Sequence, residues 1–257
     1  MSRYARCFYG VAVGALIAAA PLAAQTPATQ PTPEQAAAER QRQADERMRN
    51  DWANLTRYKQ ANAALGDPKP GENRVVYYGD SITDAWARYF PAMFPGKPYV
   101  GRGISGQTTP QMLVRFRQDV VALKPAAVVI LAGVNDIAGN TGPSTPEMIQ
   151  DNVASMVEIA RANGIRVVLS SVLPAYDFPW KPGMAPAAKI VALNAWLKQY
   201  AASRGAVYLD YHSAMRDERD GLRAELTYDG VHPNEAGYRV MAPLAERAIA
   251  DALRGKR

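Results

Sequence analysis

Cysteine is almost absent: Cys7 is the only one in 257 residues, and histidine is nearly as scarce, with only His212 and His232. A disulfide scaffold is excluded, and a structural zinc site lacks donors, since it takes about four Cys or His ligands. Beyond the N-terminal segment no stretch reaches about 18 uninterrupted apolar residues, the length a membrane-spanning helix needs. The formal charge of +6 comes from 30 Lys and Arg against 24 Asp and Glu, with no dense basic run. That argues against nucleic acid as a dedicated partner. Gly-x-Ser-x-Gly occurs nowhere, which removes the nucleophile elbow of the larger α/β-hydrolases.

What is present begins with the pattern of an export signal over residues 1–24. Arg3 and Arg6 carry positive charge, the run from Val11 to Ala20 is apolar, and Leu22-Ala23-Ala24 offers small residues for cleavage before Gln25. A retained membrane anchor is the alternative, but the apolar run is short for one. Cleavage there leaves 233 of the 257 residues, takes the formal charge to +4 and removes Cys7. Arg6-Cys7 is a poor context for lipid attachment. The expectation is an exported protein, periplasmic or secreted, with no stable membrane span once the signal is gone.

Residues 25–70 read as a polar linker followed by an N-terminal helix. Thr32-Pro33-Glu34-Gln35 has the form of a capping box with proline at the first helical position. From Glu34 to Asn50 almost nothing asks to be buried, as in a solvated helix or a spacer. Trp52, Leu55, Tyr58, Asn62 and Leu65 then recur at helical spacing, which predicts a helix docked on the main domain and ended by Gly66-Asp67-Pro68.

Residues 71–257 alternate strands with helices. Val75–Tyr78, Tyr99-Val100, Ala126–Leu131, Ile165–Leu169 and Ala206–Leu209 are short apolar runs, as expected of parallel strands covered on both faces. Helical segments begin at Thr145-Pro146, near Pro186 and at Asn234, the last with Pro243 as a possible kink. The fold class is α/β: a three-layer α/β/α sandwich around a flavodoxin-like, doubly wound parallel sheet of about five strands. Such sheets bind ligands beyond the strand C-termini at the switch point.

Four segments fall at that edge. Gly79-Asp80-Ser81-Ile82 follows the first strand, and Gly101-Arg102-Gly103-Ile104-Ser105-Gly106 the second. Gly133-Val134-Asn135-Asp136 follows the third, and Asp229-Gly230-Val231-His232 precedes the last helix. A serine on a strand-to-helix turn is exposed and sits beside unpaired backbone N–H groups, which is what an acyl-transfer nucleophile requires. Each segment alone reads equally well as a turn, a loop or a cap.

Together they resemble the blocks of the SGNH hydrolases, the GDSL-type esterase/lipase family, over roughly residues 72–252. Ile82 stands where the family usually has leucine, and Gly101 where asparagine often precedes the glycine. The resemblance implies that Ser81 attacks an ester carbonyl, with His232 as general base and then acid, and Asp229 holding the imidazole. It implies an oxyanion hole made by the N–H groups of Ser81 and Gly103 and the side-chain amide of Asn135, each contributing about 3 kcal/mol. No cofactor and no metal is implied. His212, after Asp210, reads as structural.

Substrate contacts are open at this stage. Pro174 to Pro186 is a long loop carrying Tyr176, Phe178 and Trp180, while Trp86, Tyr89 and Phe90 follow the serine. These rings either stack on a sugar or acyl group or belong to the core. Arg102 either meets an acidic substrate group or forms a surface ion pair. Tyr176, Trp180 and Arg102 are the substrate-binding candidates. The reading is a serine esterase releasing short acyl groups, acetyl above all, from a saccharide or other small polar ester. A lysophospholipase or acyl thioesterase of the same family is the alternative, and a non-catalytic saccharide-binding module the alternative of another class. The sequence leaves the oligomeric state open.

Overall fold

Five runs rich in β-branched residues form one parallel sheet: β1 (Val75–Gly79), β2 (Tyr99–Gly103), β3 (Ala127–Leu131), β4 (Arg166–Ser170) and β5 (Val207–Leu209). The computed structural model describes residues 32–255; the expected signal peptide, Cys7 and the linker up to residue 31 lie outside the described residues. Contacts divide the chain after Arg42. The sheet and the candidate site belong to the second unit.

The strand order is β2-β1-β3-β4-β5. The chain leaves β1 for one side and returns to its other side, so the switch point lies between β1 and β3. The ten helices are α1 (Pro33–Asn50), α2 (Lys59–Leu65), α3 (Ser81–Trp86), α4 (Phe90–Met93), α5 (Thr109–Asp119), α6 (Val134–Ile137), α7 (Pro146–Ala162), α8 (Ala187–Ser203), α9 (His212–Met215) and α10 (Glu235–Arg254) among the described residues.

The period of two along each strand divides the core. Val76, Tyr78, Val128 and Ile130 pack with Met112, Phe116, Val153, Met156, Ile190 and Leu197 of α5, α7 and α8. Val75, Tyr77, Val129 and Leu131 pack on the other face with Trp86, Phe90, Tyr238, Met241 and Ala245 of α3, α4 and α10. This is the expected three-layer sandwich. The local signals act as chemistry dictates. Gln35 N donates to Thr32 Oγ1 at 3.2 Å, and Thr145 Oγ1 accepts from Met148 N at 3.3 Å. α10 continues through Pro243.

Two segments depart from the sequence reading. Strand β2 runs on to Gly103, in register with Gly79. Gly101 is therefore a strand residue rather than part of a loop, and a Cβ there would lie 2.6 Å from the Ala87 Cβ. The stripe from Trp52 to Leu65 does not form one helix. Asp51 accepts hydrogen bonds from Leu55 N, Thr56 N and Thr56 Oγ1, and Asn54 takes a left-handed conformation at φ 54°. Those bonds offer the backbone a turn in place of a helix. Trp52 and Leu55 stay exposed, and the segment docks through the buried Ala53, through Leu65 and through hydrogen bonds from Tyr58 and Asn62.

Candidate active site

Strand β1 ends at Gly79, where a Cβ would meet Thr83 Oγ1 at 2.2 Å and Leu131 O at 2.8 Å. Only glycine lets the chain turn so tightly against β3 and α3. Asp80 then caps α3, its Oδ1 accepting from Ile82 N at 3.0 Å. Ser81 opens the helix, so its N–H is one of the amides a helix start leaves without an intrahelical partner.

The second block lies against the first. A Cβ at Gly103 would fall 2.1 Å from Asp84 N and 2.6 Å from Asp80 O, so the end of β2 touches the start of α3 only because residue 103 has no side chain. Asn135 lies in the single turn of α6 that follows β3, and its side chain is fixed at both ends. Its Nδ2 donates to Gln107 O at 3.0 Å, while its Oδ1 accepts from Asn140 Nδ2 at 2.8 Å. The amide is thereby oriented and keeps a second N–H to offer.

The turn from Thr227 to Pro233 presents the imidazole. Thr227 Oγ1 donates to His232 O at 2.8 Å and accepts from Gly230 N at 3.0 Å; Gly230 has φ +86°. Asp229 Oδ1 accepts from Val231 N at 3.0 Å and His232 N at 2.8 Å, which leaves Oδ2 to meet His232 Nδ1 at 2.7 Å. His232 Nε2 lies 3.0 Å from Ser81 Oγ. Burial alone would raise the Asp229 carboxyl, but the bonds from the His232 amide and ring and the Val231 amide hold it below its ordinary value. The result is an ionised carboxylate, an imidazole and an alcohol in line.

Below the serine lies a carboxyl in a different state. Asp80 is buried and its Oδ2 has no partner. Burial pushes it up to about 6; the Asp136 carboxyl adds to the rise, while the Ile82 amide and His232 oppose it. Asp136 is itself raised by burial, against hydrogen bonds from Thr109 N and Oγ1.

The model of the GDSL-like lipase/acylhydrolase family matches residues 77–240, well over half of the chain and all four blocks. The chain belongs to that family. This places it among the carboxylic ester hydrolases. A GDSL-like lipase of Bacteroides thetaiotaomicron shares 46% identity and a TM-score of 0.76, over 79% of this chain and 100% of that one. Acetylxylan esterases of Xylanibacter ruminicola and Geobacillus stearothermophilus are each 26% identical, over 71% and 68% of this chain. The chain spans 44% of the length of the first and 93% of the second.

A crevice of about 460 Å³ opens at this GDSL site. Ser81, Asn135 and His232 line it together with Ala85, Arg88, Ser105, Gly106, Asn140, Trp180, Tyr228 and Pro233. Of the three substrate-binding candidates it receives one. Trp180 lies 5.8 Å from the His232 ring. Tyr176 is turned outward, 53% exposed beneath the Arg219 guanidinium, and is not part of the crevice. Arg102 is corrected too. It is buried behind β2, donating to Asn62 Oδ1 at 2.7 Å and lying 4.8 Å over the Tyr58 ring. In an extended strand successive side chains alternate between faces, so a neighbour of Gly103 need not face what Gly103 faces. Trp86 and Phe90 are core residues, packed with Tyr77, Phe94 and Tyr238.

The sequence reading missed the residues that hold the loops in place. Arg115, fully buried, donates to Gly79 O at 2.9 Å, Arg102 O at 2.9 Å and Gln107 Oε1, and pairs with Asp119 at 3.1 Å. One guanidinium thus ties the ends of β1 and β2 to the loop whose carbonyl orients Asn135. Tyr58 OH donates to Gly103 O, so the N-terminal segment grips the same loop. Only the anomaly of an arginine on the apolar side of a helical pattern hinted at Arg115. Asn140 carried no signal, because its role is set by a contact rather than by a motif. Among the described residues no cluster of His, Cys, Asp and Glu fit to hold a metal occurs, and no helix is long and apolar enough to cross a membrane.

Proposed function

We propose that the protein is a serine esterase that releases short acyl groups, acetyl above all, from a saccharide or similar small polar ester. The observation that carries this reading is the relay from Asp229 through His232 to Ser81, at 2.7 and 3.0 Å, opening on a small crevice. Ser81 Oγ attacks the ester carbonyl as its proton passes to His232 Nε2, and Asp229 stabilises the imidazolium that results. The carbonyl oxygen takes up negative charge beside the Ser81 and Gly103 amides and Asn135 Nδ2. As the intermediate collapses, the imidazolium returns its proton to the leaving alcohol, leaving an acyl-enzyme on Ser81. Water, deprotonated by the same imidazole, releases the carboxylate and restores the serine.

The crevice is small, about 460 Å³, and mixes the polar groups of Ser105, Asn135 and Asn140 with the apolar surface of Ala85, Trp180 and Pro233; a pocket of that size suits a short acyl group better than a long chain. The acetylxylan esterase relatives support the same substrate class. Hydrolysis of p-nitrophenyl esters of increasing chain length tests it: turnover is expected to peak at acetate, and a maximum beyond about eight carbons, too long for such a crevice, overturns the preference. Unchanged turnover by Ser81→Ala overturns the nucleophile assignment. Export to the periplasm or beyond is part of the proposal and rests on the signal pattern of the first 24 residues.

A further inference from the structure

The crevice contains features that hydrolysis of a neutral acetate does not use. Arg88 lines it, with its Nε donating to Ala85 O at 3.0 Å and its guanidinium 5.2 Å over the Tyr89 ring. The carboxylates of neighbouring elements have partners other than Arg88: Asp84 pairs with Arg57 and accepts from Ser105 Oγ at 2.9 Å, Glu235 pairs with Arg239, and Asp229 with His232. No carboxylate side chain lines the crevice, and Arg88 is the one permanent charge that does.

Two aromatic faces stand in the same crevice, left open to solvent. Trp180 is 44% exposed and Tyr228 66%. Trp180 is held rigidly. Phe178, fully buried, stacks beneath it at 5.1 Å and 18°. Asp177 accepts from the amides of Phe178, Gly183 and Met184, and Lys181 Nζ donates to Ala138 O at 2.8 Å. A large apolar face fixed in place and left uncovered beside a nucleophile has lost its conformational freedom before anything binds, which is the condition of a preorganised platform. Aromatic rings offer such a face to the apolar side of a sugar, and a guanidinium offers a planar fork to a carboxylate.

We propose that the crevice selects an acidic saccharide: an O-acetylated sugar bearing a ring carboxylate, of the uronic-acid class, with the sugar against Trp180 and Tyr228 and the carboxylate on Arg88. This rests on the esterase reading above and specifies its substrate.

The test compares acetate release from an O-acetylated methyl glucuronoside and from the matching O-acetylated methyl glucoside, with p-nitrophenyl acetate alongside. The expected ratio of kcat/KM, acidic over neutral, is about fivefold or more at low salt and shrinks as salt screens the partly exposed pair. Arg88→Gln brings the ratio to about one, Arg88→Lys retains part of it, and Arg88→Glu inverts it. Trp180→Ala raises KM for both sugars and leaves the ratio standing. A ratio of one in the unaltered protein, or a preference untouched by Arg88→Gln, overturns the proposal. Turnover of p-nitrophenyl acetate without either sugar overturns it too while ester hydrolysis stands; failure on all three compounds removes the esterase reading itself.

Discussion

Two turns at the C-terminal edge of the sheet carry an aspartate followed closely by a histidine, and only one of the two histidines reaches Ser81. In the turn after β5, Asp210 accepts from Ser213 N at 2.9 Å and from Ser213 Oγ at 2.8 Å. His212 is only 7% exposed, and its Nε2 is buried without a partner. In the turn before α10, Asp229 satisfies the amides of Val231 and His232 with one oxygen and the imidazole with the other. One extra residue of spacing folds the chain back over the carboxylate, so the ring reaches it. With the shorter spacing, both carboxylate oxygens are taken by Ser213. The residue types are the same; backbone geometry decides which histidine meets the serine.

The sharpest way to break this comparison is to remove each ring. His232→Ala is expected to lower kcat/KM for p-nitrophenyl acetate by about 10⁴-fold, in line with the loss of a general base from a triad. His212→Ala should stay within about threefold, because it touches no reacting group. Equal losses would mean that the two turns are not distinct in function. The donors come next. Asn135→Ala should cost about 10²-fold or more in kcat with little change in KM, as expected of a contact made in the transition state. Asn140→Ala, which releases the amide of Asn135 and removes a side chain from the crevice lining, should cost about tenfold.

The smaller effects are in stability and its dependence on pH. The folded pKa of Asp80, about 6, lies above its ordinary value of 3.8, so between these values the folded state binds a proton that the unfolded chain has released. Stability from this group therefore falls as pH rises from about 4 to about 6, by roughly 2–3 kcal/mol for a shift of that size. Denaturant unfolding of Asp80→Asn at pH 4 and pH 7 should show a flatter profile than the parent; parallel profiles would contradict the assignment. His212 shows the opposite sign. Burial lowers its pKa below the ordinary 6.5, against the carboxylates of Asp220 and Asp210. The unfolded chain takes up its proton first as the solution is acidified, so stability present above that value is lost as pH falls below it. Asp229 has a depressed pKa as well, and its contribution fails only as pH falls through that lower value. Replacing His212 by Gln should remove the step near neutrality in the pH profile of unfolding and leave the acid limb.

Much of this was legible in the residues. The period of the apolar runs determined strands, helices and the three-layer class, because burial on one face or two is a property of spacing. The four blocks were legible because a tight turn, a close approach and a cap each demand particular residue types. Tertiary structure alone decided which neighbours of those blocks matter. Arg102 and Arg88 look alike in the sequence, yet strand alternation buries one against Tyr58 and Asn62, while a helical segment presents the other to the crevice. Arg115, Tyr58 and Asn140 hold the site through contacts between residues far apart in the chain or beyond any motif. A sequence encodes local geometry residue by residue, whereas the partners of a side chain exist only once the layers have packed.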